Sequence, residues 1–159
     1  MNYTNDSTYL VANFYSSAKE YYPDNVADNF RVKINKPLKL APGLWKVALS
    51  EICVKNLLLD VGLRTISNNP IWLQIDFEAC EGLVIHGNSS QTLRLIPFST
   101  NIHTIYTLPF YVPILTGYIE NCHISVKVLS NKPANIRASD KSCITCTLHF
   151  KKFSSVRQL

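Results

Sequence analysis

The strongest constraint on this chain is its alternation with period two. Phe30-Arg31-Val32-Lys33-Ile34 alternates apolar and basic residues, so Phe30, Val32 and Ile34 fall on one side and the two bases on the other. Trp45, Val47 and Leu49 repeat the pattern against Lys46, Ala48 and Ser50 on the way to Ile52. Ile71, Leu73, Ile75 and Phe77 alternate with Trp72, Gln74, Asp76 and Glu78. Ile144, Cys146, Leu148 and Phe150 alternate with Thr145, Thr147 and His149 near the end. Successive side chains of a strand point to opposite faces, so each run predicts a half-buried β-strand. Weaker signals predict strands over 9–14, 83–85, 92–98, 102–106 and 118–129. Residues 53–65 are ambiguous: Leu57-Leu58-Leu59 is apolar without period two, and Asp60 with Gly62 suggests an irregular or briefly helical link.

Composition agrees. Ile, Val and Thr together outnumber all charged residues, whereas Ala, Glu and Met are scarce. β-branched side chains are stiff about χ1 and suit a pleated surface better than a helix. Eight Pro and five Gly interrupt the chain at short intervals. The expected fold is therefore all-β, a single jelly-roll β-sandwich of about eight antiparallel strands. Eight strands in two sheets is the jelly-roll count, but alternation alone does not separate it from an immunoglobulin-type sandwich. The expected organisation is a loose arm over 1–8, one domain over 9–153 and a tail over 154–159. A chain of 159 residues buries enough surface to need no disulfide or metal staple.

Segment 108–115 departs from the pattern. Leu108, Phe110, Tyr111, Val112, Ile114 and Leu115 are apolar or aromatic, yet Pro109 and Pro113 forbid a central strand. Either this segment folds back over an open sheet end, or another subunit covers it. These six residues are the candidate subunit interface.

Net charge is +5, concentrated late in the chain. Lys151, Lys152 and Arg157 are the candidate basic contact, with weak nucleic-acid binding as the functional reading and a merely solvated surface as the other. Arg31, Lys33 and Lys46 offer a second basic patch if their strands share an outer face.

Chemistry leaves little trace. The chain lacks the nucleophile-elbow, zinc-protease, phosphate-loop and dinucleotide motifs. Asp76 and Glu78 share a strand face with Trp72 and Gln74, which admits a carboxylate pair or a sugar-binding face; a plain polar outer face is the commoner use of such residues. Cys143-Ile144-Thr145-Cys146 has C-x-x-C spacing, but residues three apart on a strand point to opposite faces, so metal or redox use is not expected. Neither catalysis nor a cofactor is expected. The start has no basic segment followed by an apolar run, and no stretch is long and apolar enough to span a bilayer, so neither export nor a membrane span is expected.

The segment NFRVKINKPLKLAPGLWKVALSEI, residues 29–52, is where a family likeness enters. With Tyr22-Pro23-Asp24-Asn25 before it, this stretch resembles the N-terminal signature of the penton, or minor capsid, proteins of Polinton-like viruses, adintoviruses and their relatives. The matching features are Tyr-Pro-x-Asn, the Phe30-led strand, Pro37-Leu38-Lys39-Leu40 before a turn, and Trp45 through Ile52. Residues 112–119 and Leu148-His149-Phe150 are similar to later parts of such proteins. The turn at Ala41-Pro42-Gly43 is one residue longer than the simplest form of the pattern. The resemblance implies a single jelly roll that forms homopentamers at the fivefold vertices of an icosahedral capsid. Its neighbours there would be double jelly-roll major capsid proteins, and it would be assembled inside the host cell. The residues alone also admit a non-viral β-sandwich binding module, carbohydrate-binding or trimeric and cytokine-like.

Overall fold

The computed structural model describes residues 6–14, 21–61, 71–82, 84–85, 87–129, 134–137 and 141–153. It is all-β and antiparallel. In chain order the strands are β1 (Ser7–Asn13), β2 (Asn29–Lys39), β3 (Leu44–Lys55), β4 (Leu58–Val61), β5 (Trp72–Phe77), β6 (Val84–Ile85), β7 (Asn88–Ser89), β8 (Thr92–Pro97), β9 (Ile102–Ile105), β10 (Val112–Pro113), β11 (Tyr118–Leu129), β12 (Ala134–Arg137) and β13 (Cys143–Phe153). β1 begins at Ser7, inside the expected arm, and the backbone N–H of Lys152 donates to the Asp6 carbonyl at 2.8 Å.

One sheet runs β1-β13-β3-β10, with β9 also pairing with β3; the other runs β2-β11-β5-β8. β9 lies against residues 51–54 of β3, and β10 against residues 46–47. The two are halves of one broken edge strand. Counting them as one, the eight principal strands pair from the outside inwards: first with last (β1 with β13), second with seventh (β2 with β11), third with sixth (β3 with β9 and β10), fourth with fifth (β5 with β8). β4 with β12 and β6 with β7 form two small accessory ladders.

The alternating residues from both sheets meet in one core. Val47, Leu49, Ile52 and Val54 of β3 and Ile144, Cys146, Leu148 and Phe150 of β13 face Phe30, Leu73, Ile75, Phe77, Cys122, Ile124 and Val126 of the second sheet. Phe77 and Phe150 close the gap edge to face, ring centroids 6.2 Å apart. Fully burying an aliphatic or aromatic side chain is worth about 1.5–3 kcal/mol, so these two rows are the main source of cohesion between the sheets. Trp45 is buried as the alternation predicts, and its Nε1–H donates to the Ala41 carbonyl at 2.7 Å.

β3 also shows how the core residues change parity. Trp45, Val47 and Leu49 are odd-numbered, whereas Ile52 and Val54 are even, so strict alternation cannot bury both sets. The register shifts by one between Thr147 and Leu148, which leaves Ser50 as the extra residue of a bulge. The Ser50 hydroxyl donates to the Thr147 carbonyl, and its own carbonyl accepts from Tyr106 N–H. β3 then continues to Lys55 and β4 takes up Leu58–Val61, so the expected irregular or briefly helical link is mostly strand; residues 62–65 lie outside the described residues.

Candidate functional site

The candidate interface grows out of the broken edge strand. The chain leaves β3 after Tyr106 and returns at Val112. Pro113 sits in the edge position where a missing N–H costs least. Lifting residues 107–110 off the ladder leaves their apolar side chains without a neighbouring strand. Leu108 is 87% exposed, and Ile105, Phe110 and Leu115 are also exposed. Val112, by contrast, is 3% exposed and belongs to the subunit's own core. Ile114 is half-buried against that core and forms a β-bridge with Cys80. Tyr111 leaves the rim for the outer face of the first sheet, where its hydroxyl and His149 Nδ1 are hydrogen-bonded at 2.7 Å. Of the six residues read from sequence, Leu108, Phe110 and Leu115 therefore present an uncovered rim. Ile105, opposite Glu51 on β9, is a further exposed apolar residue of this edge that alternation did not single out.

The basic residues separate. Lys151 lies on the outer face of β13 with Nζ 5.7 Å from the Phe153 ring centroid. Lys152 is on the opposite face, paired with Trp45, and reaches across Gly43. A Cβ added to Gly43 would lie 2.5 Å from Lys152 Cε. Arg157 lies outside the described residues. Arg31 and Lys33 are on β2 of the second sheet while Lys46 is on β3 of the first, so these three do not form one patch. Arg31 instead reaches Glu78 at 3.8 Å, and Lys33 covers the Tyr21 ring.

The expected polar outer face of β5 is corrected by the structure: Gln74 and Asp76 are buried. Gln74 Nε2 donates to Asp76 Oδ1 at 2.9 Å, the Thr92 hydroxyl donates to the same oxygen at 2.8 Å, and Lys127 Nζ is 2.9 Å from Oδ2. A buried carboxylate is tolerated when its oxygens are satisfied in this way. Glu78 is exposed and contacts Arg31 and His123. Asp76 thus has three partners of its own, and Glu78 stands apart in a different ion cluster. Among the described residues no group of three His, Cys, Asp or Glu is placed to hold a metal ion, and no helix is long and apolar enough to cross a membrane.

The Tyr22-Pro23-Asp24-Asn25 motif has a structural task. Asn25 is buried. Its side-chain amide donates to the Arg31 carbonyl at 2.8 Å, and its Oδ1 accepts from the Arg31 N–H at 2.9 Å. Arg31 pairs with His123 across β11, so the Asn25 amide supplies Arg31 with the partners that a further strand would give. The Tyr22 hydroxyl donates to Asn121 Oδ1, which pins the same loop to β11. A shallow cavity of about 370 Å³ lies between this loop, Arg31 and His123.

Sequence reading missed a second feature altogether. Tyr9, Tyr111, His149 and Phe153 gather with Lys46 and Lys151 on the outer face of the first sheet. Burial, and then Lys151, holds the His149 imidazole below its ordinary pKa. Burial, and then Tyr9, raises that of the Tyr111 phenol. Period two does place His149, Lys151 and Phe153 on one face. Tyr9 arrives by pairing with a strand 140 residues away, which no local pattern reveals. No protein-family model matches the chain, and no curated protein matches it significantly.

Proposed function

We propose that this protein is a structural subunit of an icosahedral virus shell, a penton or minor capsid protein that closes into homopentamers at the capsid vertices. The outside-in pairing of eight strands is the connectivity of a single jelly roll, a long antiparallel hairpin rolled into two sheets, which supports the finer fold reading. The likeness of residues 22–52 to penton proteins supports the viral assignment. The observation that carries the proposal is the exposure of four large apolar side chains, Ile105, Leu108, Phe110 and Leu115, along the broken edge strand. Side chains of this size gain about 1.5–3 kcal/mol each when fully buried, and one heterologous contact repeated around an axis buries them in every copy. In the assembled shell the neighbours are double jelly-roll major capsid subunits.

Sedimentation equilibrium across a wide concentration range tests this. The expected species has a mass of about 90 kDa, five times the 18.0 kDa chain. Phe110→Asp is expected to abolish it while leaving the melting temperature of the protomer unchanged. A monomer at every concentration, or a trimer, removes the pentamer; a trimer that binds glycans on an array favours a sandwich binding module instead.

A further inference from the structure

The outer face of the first sheet bears an aromatic and cationic platform. Tyr9 is 63% exposed, and its ring stacks on His149 with centroids 4.3 Å apart and planes at 15°. His149 meets Tyr111 at 5.8 Å, and Tyr111 meets Phe153 edge to face at 5.6 Å. Lys46 Nζ lies 4.8 Å and Lys151 Nζ 5.7 Å from the Phe153 ring.

The two lysines are the telling part. Lys46 and Lys151 are direct register partners on neighbouring strands. Like charges directly opposite each other destabilise a sheet. Lys127 pairs with Asp76 and Arg31 with Glu78, while Lys33 and Arg94 each lie over a ring of their own, Tyr21 and Tyr106. Here, among the described residues, neither ammonium has a carboxylate partner, and both converge on one ring. An unneutralised pair of cations beside the exposed Tyr9 ring and the half-buried His149, Tyr111 and Phe153 rings is complementary to a ligand that brings both negative charge and flat π-faces.

We infer that this face binds single-stranded nucleic acid, with a base stacked on the open side of Tyr9 and backbone phosphates held by Lys46 and Lys151. Stacking on an aromatic side chain tolerates any base, so no sequence preference is expected. A duplex hides its bases and offers only phosphates. An acidic peptide offers carboxylates, but not a flat ring attached to every charged unit of its chain. The inference is independent of the pentamer: the face lies beside the rim, and only Tyr111 belongs both to this platform and to the interface segment read from sequence.

The test is fluorescence anisotropy with a labelled oligothymidylate of about 15 nucleotides, near the upper site size of a single binding domain. A duplex of equal length and heparin serve as competitors. The oligomeric state is measured at the same protein concentration, so failure of the ring and failure of binding are separate results. Expected are a preference for the single strand and weakening with salt. The paired change Lys46→Gln with Lys151→Gln should reduce the salt slope by about 1.4, the value for two lost phosphate contacts on a single strand. Tyr9→Ala and Tyr9→Leu should each weaken binding about fivefold or more, while Tyr9→Phe retains it. Lys33→Gln, on the other sheet, should change nothing. The inference is overturned by no binding at low salt, by heparin or duplex competing as well as single strand, or by folded Tyr9 variants that bind like the parent.

Discussion

The edge clamp formed by Asn25 makes a sharp quantitative prediction. Its amide makes two hydrogen bonds to one residue of the edge strand β2, at 2.8 and 2.9 Å, from a side chain only 6% exposed. A typical intramolecular hydrogen bond contributes about 1 kcal/mol net, and stranding buried backbone groups adds to its loss. Asn25→Ala should therefore destabilise the fold by about 2–3 kcal/mol. In a domain of this size each kcal/mol moves the melting temperature by about 2–4 °C, so the midpoint should fall by about 4–12 °C. Asn25→Asp separates the two bonds. Its carboxylate still accepts from the Arg31 N–H but can no longer donate to the Arg31 carbonyl, which it faces with like partial charge. It should therefore also destabilise, and it should leave the Arg31 amide protected from hydrogen exchange, whereas Asn25→Ala should expose it. The reasoning is refuted if Asn25→Ala melts within about 1 °C of the parent, or if the Arg31 amide exchanges equally slowly in both variants.

Other outcomes follow from the same geometry. Trp45→Ala removes a buried indole and its bond to Ala41, and should cost about 3–5 kcal/mol. Urea denaturation showing less than about 1 kcal/mol of loss would contradict its place in the core. Burial raises the Cys80 and Cys146 thiols from 9.0 to about 12 and pushes Cys122 further up. Alkylation of the native protein should therefore start at Cys53 and Cys143, which are only half-buried, and mass spectrometry that finds Cys122 or Cys146 modified first would refute the assignment. The same shifts have a sign in pH. Above pH 9 the unfolded chain loses thiol protons that the folded chain keeps, so stability falls as pH rises, by about 1.4 kcal/mol per pH unit for each thiol. A urea midpoint equal at pH 8 and pH 10 would exclude this.

How much was legible in the sequence depended on the range of the interaction. Alternation located Phe30, Trp45, Leu73, Phe77, Ile124 and Phe150 in the core because a strand sorts its two faces locally, whatever it pairs with. The bulge at Ser50 was also encoded, in the parity change from Leu49 to Ile52, but only as an inconsistency that the β13 register resolves. Gln74 and Asp76 were misjudged because polarity reports cost, and cost depends on partners. Thr92 lies sixteen residues from Asp76 and Lys127 on another strand, and together they turn an expensive burial into a satisfied one. Segment 108–115 was correctly isolated as irregular, yet Val112 and Leu108 have opposite fates that hydropathy cannot distinguish. Only the point where β10 rejoins β3 separates them.

The two outer faces of the sandwich carry the last step of the argument. On the second sheet Arg31 meets Glu78, Glu78 meets His123, and His123 meets Asn29 at 2.6 Å, while Lys33 lies over the Tyr21 ring. The first sheet has an ion pair of its own, Glu51 with His103 at 2.8 Å, and beside it Lys46 and Lys151 share the Phe153 ring. The proposed ligand accounts for the one arrangement there that packing does not favour, two like charges set directly opposite each other near the exposed Tyr9 ring.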